Sequence, residues 1–82
     1  MLRVGSIYKH FKGGFYRIAG LATHTETDET MVRYSKLEKV DKRWFVAADE
    51  WVRPKDNFLQ QVSGPGGTLV DRFTFCGELI SG

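Results

Sequence analysis

A chain of 82 residues that is 41% hydrophobic, with two Trp, three Tyr and six Phe, has apolar area for one small core and no length for a second domain. This composition excludes an intrinsically disordered chain, and the single Cys76 excludes an internal disulfide. A net charge of +2 does not by itself indicate a polyanionic partner. With no signal-peptide pattern and no long apolar run, we expect one cytoplasmic domain over residues 1–82 and no membrane association.

The first predicted elements are two strands over residues 7–11 and 15–23, both rich in β-forming residues. They flank Gly13 and Gly14, which can adopt the positive φ of a tight hairpin turn. Gly20 interrupts the second strand and predicts a bulge or bend there. A two-residue Gly13-Gly14 turn predicts two cross-strand pairs, Phe11 with Tyr16 and His10 with Arg17.

A third strand is predicted over residues 31–37, after the polar and acidic loop 25–30, so that three strands form a meander. The charged segment 39–43 is turn-like, and residues 44–46 and 50–53 favour two further short strands. The aromatic residues of the first of these cannot all point into so small a core. A second copy of the chain is therefore a candidate partner through the region of Trp44 and Phe45, and the alternative is that these residues simply cover one end of the β-domain.

Pro54 fixes φ near the helical value and favours a short helical turn immediately after it. The loop at 63–67 and a last strand over 69–75 complete the predicted elements. Three apolar residues are expected to anchor the helical turn, namely Phe58, Leu59 and Val62. The fold class is therefore all-β, with about five strands and one short helical or 3-10 turn after Pro54.

Several motifs are spread over most of the chain: Gly5, Tyr8-Lys9-His10-Phe11-Lys12-Gly13, Tyr16, His24-Thr25-Glu26-Thr27, Val32-Arg33-Tyr34, Trp51-Val52-Arg53-Pro54, Phe58 and Arg72-Phe73. Together they resemble the bacterial family known as domain of unknown function 1653, with a family-like core of about residues 5–75. The resemblance implies an SH3-like small barrel and no particular biochemical role. Thr25 stands where the family usually has serine. Segment 38–50 looks several residues longer than the family's connection before the Trp-Val-Arg-Pro motif.

The sharpest site hypothesis joins the polar loop to the Trp-Val-Arg-Pro segment. The guanidinium of Arg53 can donate two parallel hydrogen bonds to one carboxylate or phosphate. Trp51, on the same face of the strand, offers a flat ring for stacking. The predicted cleft is lined by Tyr16, His24, Thr25, Glu26, Trp51 and Arg53, with Tyr34 as a further candidate. An alternative is that Glu26 and Arg53 form a purely structural ion pair, with His24 hydrogen-bonded nearby.

Two other functions stay open at this point. Lys9, Lys12 and Arg17 precede the first acidic residue, and with the neighbouring aromatics they suit nucleic-acid binding, unless the lysines are merely solvated. An enzyme using His24 and Glu26 as acid and base is the third hypothesis, although no nucleophile accompanies them.

No metal or cofactor site is predicted, because His10, His24, Glu26 and Cys76 lack a paired ligand spacing. Tyrosine, tryptophan and arginine are typical of recognition surfaces. We therefore expect a non-catalytic binding module for a small anionic ligand or an acidic peptide group.

Overall fold

The computed structural model describes residues 2–78, so the predicted domain over 1–82 extends beyond them at both ends. The described chain is mostly β, as predicted, and contains more strands than the five expected. In chain order the elements are β1 Ser6–His10, β2 Phe15–Thr23, β3 Thr30–Val40, β4 Arg43–Val46, β5 Trp51–Pro54, α1 Lys55–Phe58, β6 Gln61–Ser63, a 3-10 turn Pro65–Gly67, β7 Leu69–Asp71 and β8 Phe73–Glu78.

The main sheet is antiparallel and has the order β4-β3-β2-β1-β8. The long strand β3 pairs with β4 through its second half and with β5 through its first half. Strands β6 and β7 form a separate hairpin. Within residues 2–78 no ladder joins β5 to β8, so the sheet is not a closed barrel.

The first hairpin forms where predicted, but its predicted pairs are wrong. Tyr8 pairs with Tyr16, and Lys9 pairs with Phe15. The reason is a longer turn: the Gly13 N–H donates to the His10 carbonyl at 2.8 Å, and the His10 N–H donates to the Gly14 carbonyl at 3.0 Å. The resulting register directs Tyr8 and Tyr16 to the same face of the sheet.

The predicted bulge in β2 is confirmed. Ile18 pairs with Tyr34 and Gly20 pairs with Arg33, so Ala19 is the extra residue that has no partner in the ladder. Such a bulge bends the strand and increases its local twist.

The helical turn begins directly after Pro54, as predicted. Phe58 is fully buried and its ring stacks on Phe73 at a centroid distance of 4.0 Å. Leu59 is instead 49% exposed, because a single helical turn presents only one side to the sheet. The last strand predicted over 69–75 is divided into β7 and β8 at Arg72, whose N–H donates to the Gln60 carbonyl.

The core lies on one face of the main sheet, which we call the core face. Its buried apolar cluster comprises Tyr8, Ile18, Val32, Tyr34, Phe58 and Phe73. The opposite side, the outer face, carries the alternate residues of the same strands. No helix within residues 2–78 has the length and apolar character needed to span a membrane.

Segment 38–50 forms the end of β3, a turn at Asp41 and Lys42, strand β4 and the loop that leads to β5. As expected, its aromatic residues do not enter the core: Trp44 is 48% exposed and Phe45 is 51% exposed. The segment therefore adds surface to the domain rather than core.

Candidate functional site

Four aromatic rings from four strands meet on the core face, and we call them the aromatic cluster: Tyr16, Tyr34, Trp51 and Phe73. The Tyr16 ring centroid lies 5.6 Å from Tyr34, 6.0 Å from Trp51 and 5.7 Å from Phe73. These distances and the mostly steep interplanar angles are typical of edge-to-face packing. Tyr34 and Phe73 are buried whereas Trp51 is 46% exposed, so the cluster leads from the core to the surface.

Arg53 lies beside this cluster and is half-buried. Its Nε donates to the Tyr34 hydroxyl at 3.3 Å, and its Nη1 donates to Asn57 Oδ1 at 2.6 Å. The guanidinium also lies 5.7 Å from the centroid of the Phe73 ring, within cation–π range. The remaining N–H donors of its fork have no acceptor among the described residues, and neither of the ion pairs formed there includes Arg53.

Two more basic side chains approach the same region. The Arg72 Nε donates to the Asn57 carbonyl at 3.1 Å, and the His10 ring lies 4.9 Å from Phe73. Burial, then the positive charges of Arg53, Arg72 and Lys12, lower the pKa of His10 below its usual value of 6.5.

The tautomer of His10 follows from its backbone contact. His10 Nδ1 accepts the Lys12 N–H at 3.1 Å, so the neutral ring carries its proton on Nε2. That Nε2–H, like the free N–H groups of Arg53, is a donor suited to an anion.

The predicted cleft is brought together only in part. Tyr16, Trp51 and Arg53 lie around the aromatic cluster, whereas no hydrogen bond, ion pair or ring contact among the described residues links the His24 loop to them. The proposed structural ion pair between Glu26 and Arg53 is not formed.

The contacts of His24 are local to its own loop. Its Nδ1 accepts the backbone N–H groups of Glu26 at 3.1 Å and Thr27 at 3.3 Å. The side chains of Thr25 and Glu26 are exposed. His24 therefore caps the tight turn between β2 and β3, and this role explains a histidine at that position without any ligand.

Four residues of this region were not predicted from the sequence as site residues: His10, Asn57, Arg72 and Phe73. His10 and the Arg72-Phe73 pair both belong to the family-like motifs, and this was the signal that could have indicated them. Asn57 lies four residues after Arg53, in the helical turn that follows Pro54. This short spacing was the signal that could have indicated Asn57.

The basic residues of the first hairpin are divided between surfaces. Lys9 lies over Phe15 at 5.8 Å, on the outer face, and Arg17 pairs with Ile7 and Ser35 on that same face. Lys12 lies in the turn, over Phe11 at 5.7 Å. Residues 2–78 contain no group of three His, Cys, Asp or Glu side chains arranged to hold a metal ion.

Comparison with known proteins agrees with the motifs. The family described as "Protein of unknown function (DUF1653)" matches residues 6–75 of the chain. The chain belongs to this family. A crystal structure of a DUF1653 protein from Bordetella bronchiseptica is 29% identical, with a TM-score of 0.73, and the match covers 98% of this chain and 94% of that one. No curated protein matches the chain.

Proposed function

We propose that the protein is a non-catalytic binding module that holds a small anion, such as a peptide carboxylate, at Arg53. The observation that carries this proposal is a half-buried guanidinium that is oriented by Tyr34 and Asn57 and paired with no described carboxylate. A fork held in this way loses little entropy on binding and can present its free N–H groups to two oxygens at once. Trp51 offers a flat, exposed wall beside it.

The surroundings favour an anion over other ligands. Arg72 and His10 add positive potential and one further donor, and no acidic side chain balances them in the described ion pairs. Tyr16 and Trp51 suit the apolar part of a ligand whose charged end lies at Arg53. Of the residues predicted from the sequence, the proposal rests on Tyr16, Trp51 and Arg53. It assigns no role to His24, Thr25 and Glu26, because the contacts of His24 are local to its own loop.

Peptide titration tests the anion site. The tripeptide Ala-Ala-Ala with a free carboxylate, its C-terminal amide and inorganic phosphate are titrated against the protein, and the NMR signals of the Trp51 indole and Arg53 Nε–H are followed. We expect the free carboxylate to shift both signals and the amide to shift neither. Arg53→Lys keeps the charge but loses the fork, and we expect affinity to fall by about tenfold or more.

The matched control is Arg43→Lys, the same change at an exposed residue of β4, which should bind like the parent. Equal binding of acid and amide, equal binding by Arg53→Lys, or no binding of either carboxylate or phosphate would each contradict the proposal.

The other expectations stay proposals at this stage. Nucleic-acid binding through Lys9, Lys12 and Arg17 is less supported, because these side chains do not share a face with the aromatic cluster. For an enzyme, His24 has only Nε2 left to exchange a proton, since Nδ1 accepts two backbone N–H groups. A cytoplasmic location stays a prediction. Self-association through Trp44 and Phe45 is a weaker proposal, because Lys39 beside Trp44 would meet like charges in a two-fold contact.

For the fold, we propose an open variant of the SH3-like arrangement. The support is the meander β1-β2-β3, the bulge in β2 and the helical turn that follows Pro54.

A further inference from the structure

The outer face of the sheet carries an apolar groove that the anion site does not use. It has a volume of about 250 Å³ and is lined by Ile7, Phe15, Leu37, Trp44 and Cys76. We call it the outer groove. Phe15 pairs with Leu37 across β2 and β3, and the Phe15 and Trp44 rings meet edge to face at 5.6 Å.

The groove lies on the side opposite to the aromatic cluster. Phe15 precedes Tyr16 in β2, and neighbouring residues of a strand point to opposite faces. Leu37 is buried within the groove, whereas Trp44 remains 48% exposed and Cys76 is exposed as well. An apolar surface that combines a half-exposed tryptophan with a phenylalanine is typical of interaction sites.

Cations surround the groove, and none of them forms an ion pair with a carboxylate of residues 2–78. The Lys9 Nζ lies 5.8 Å from the Phe15 centroid, and the Lys39 Nζ lies 5.7 Å from the Trp44 centroid. Arg17 lies on the same face, opposite Ile7. The ion pairs among residues 2–78 join Arg3 to Glu78 and Arg33 to Glu50, so they use none of these three cations.

We propose that the outer groove docks a protein segment that carries a large apolar side chain flanked by acidic residues. The apolar side chain enters the groove between Phe15 and Trp44, and the acidic residues face Lys9 and Lys39. The volume lies below the range of about 300–1,000 Å³ that is usual for small-molecule pockets, and it suits a side chain better than a whole ligand.

Charge complementarity decides between this occupant and two others. A second copy of the chain in a two-fold contact would set Lys9, Arg17 and Lys39 against the same cations of its partner, and like charges at an interface disfavour the contact. An anionic membrane would satisfy the cations, but it would leave a recessed groove without a side chain to fill it.

Peptide selection tests the inference. Random dodecapeptides displayed on phage are selected on the full chain, with counter-selection on Trp44→Ala. We expect enriched peptides to combine a large apolar residue with acidic neighbours. A peptide from this set, acetylated and amidated so that it lacks a terminal carboxylate, should slow the alkylation of Cys76 by iodoacetamide about tenfold at saturation.

Three charge variants locate the contact. Lys39→Glu should abolish the protection of Cys76, whereas Lys36→Glu, the same change at the neighbouring exposed lysine on the core face, should retain it. Arg53→Gln should also retain it, so that failure of the outer groove and failure of the anion site are distinguished.

Four results would overturn the inference. Two concern the selection: no peptide is enriched over the counter-selection, or the enriched peptides lack acidic residues. The third is that phosphatidylserine vesicles protect Cys76 and the peptide does not. The fourth is that protection of Cys76 increases with protein concentration while sedimentation shows a dimer. Circular dichroism of Trp44→Ala and Lys39→Glu verifies that both variants are folded.

Discussion

Arg53 is oriented by two residues from different elements. Tyr34 belongs to β3 and Asn57 to α1, so the guanidinium connects the sheet to the helical turn. The Asn57 backbone carbonyl in turn accepts a hydrogen bond from Arg72 Nε. This arrangement gives one arginine a fixed direction, as the proposed anion site requires of its guanidinium.

His10 provides a pH-dependent test of the same region. Its folded-state pKa is lowered below 6.5 by burial and then by Arg53, Arg72 and Lys12, so the unfolded chain binds the proton more readily. The contribution of His10 to stability is therefore fully present above about pH 6.5 and is lost as the pH falls through the lowered folded value. Urea midpoints measured between neutral and mildly acidic pH should show this loss.

The control for this test is His10→Asn, because an asparagine oxygen can replace Nδ1 as acceptor for the Lys12 N–H without titrating. We expect the stability of this variant to fall less steeply over the same pH range. Parallel pH profiles for the parent and the variant would show that His10 is not the titrating group.

At the level of elements, β3 explains how one short chain builds two surfaces. Its eleven residues pair with β5 in the first half and with β4 in the second half. The half that pairs with β5 carries Val32 and Tyr34 into the core, whereas the half that pairs with β4 carries Leu37 and Lys39 to the outer groove. The proposed anion site and the outer groove therefore share one strand.

The turn between β3 and β4 is under local backbone strain. Asp41 has φ 51° and Lys42 has φ 67°, the positive values that a type I′ turn requires and that glycine adopts most easily. We predict that Lys42→Gly stabilises the protein by up to about 1 kcal/mol, since relief of strain exceeds the added entropy of the unfolded chain. The measurement is the free energy of unfolding in urea.

Lys36→Gly is the matched control, because it makes the same replacement inside a paired strand. It should destabilise the protein by about 0.5–1 kcal/mol. If both variants lose stability equally, the turn is not strained.

At the scale of the whole molecule, the domain is thin, measuring 39 × 37 × 20 Å. A thickness of this size corresponds to about two layers at the usual spacing of roughly 10 Å between packed layers. The buried apolar cluster lies on one face, so a few large side chains carry most of the burial. Phe58 is central among them, since its ring contacts those of Tyr8, Tyr34 and Phe73.

We expect Phe58→Ala to cost about 3–5 kcal/mol, as is usual for deleting a buried ring. Domains of this size have a total stability of only about 5–15 kcal/mol, so the loss should be visible as a large drop in the melting temperature. Phe45→Ala is the control, because the same truncation at a half-exposed ring should cost about 1 kcal/mol or less. Equal losses would contradict a core centred on Phe58.

The sequence predicted local features well. The glycine-containing hairpin turn, the bulge at Gly20 and the helical turn after Pro54 depend on residues close together in the chain, and all three are confirmed. The family was also recognisable from motifs spread along the chain, and its model matches residues 6–75. These features follow from backbone preferences that act over a few residues.

The pairing details were decided by tertiary structure. A register shift of three residues at the longer turn changed the partner of Tyr16 from Phe11 to Tyr8, and no local signal distinguishes the two turns. The same limit applied to the site. Arg53 and Tyr16 were predicted to lie together, but the partners of Arg53 are Tyr34 and Asn57 rather than Glu26. Asn57 is only four residues away, whereas the contact with Tyr34 depends on the register between β3 and β5.

Composition and motifs by themselves therefore determined a mostly β fold and the family, and they predicted a site at Trp51 and Arg53. Only the tertiary structure decided that the sheet stays open between β5 and β8, and that β3 serves two different faces. The physical reason is that strand propensity is a property of short segments, whereas sheet order, register and the partners of a charged side chain are set by which distant segments pack together.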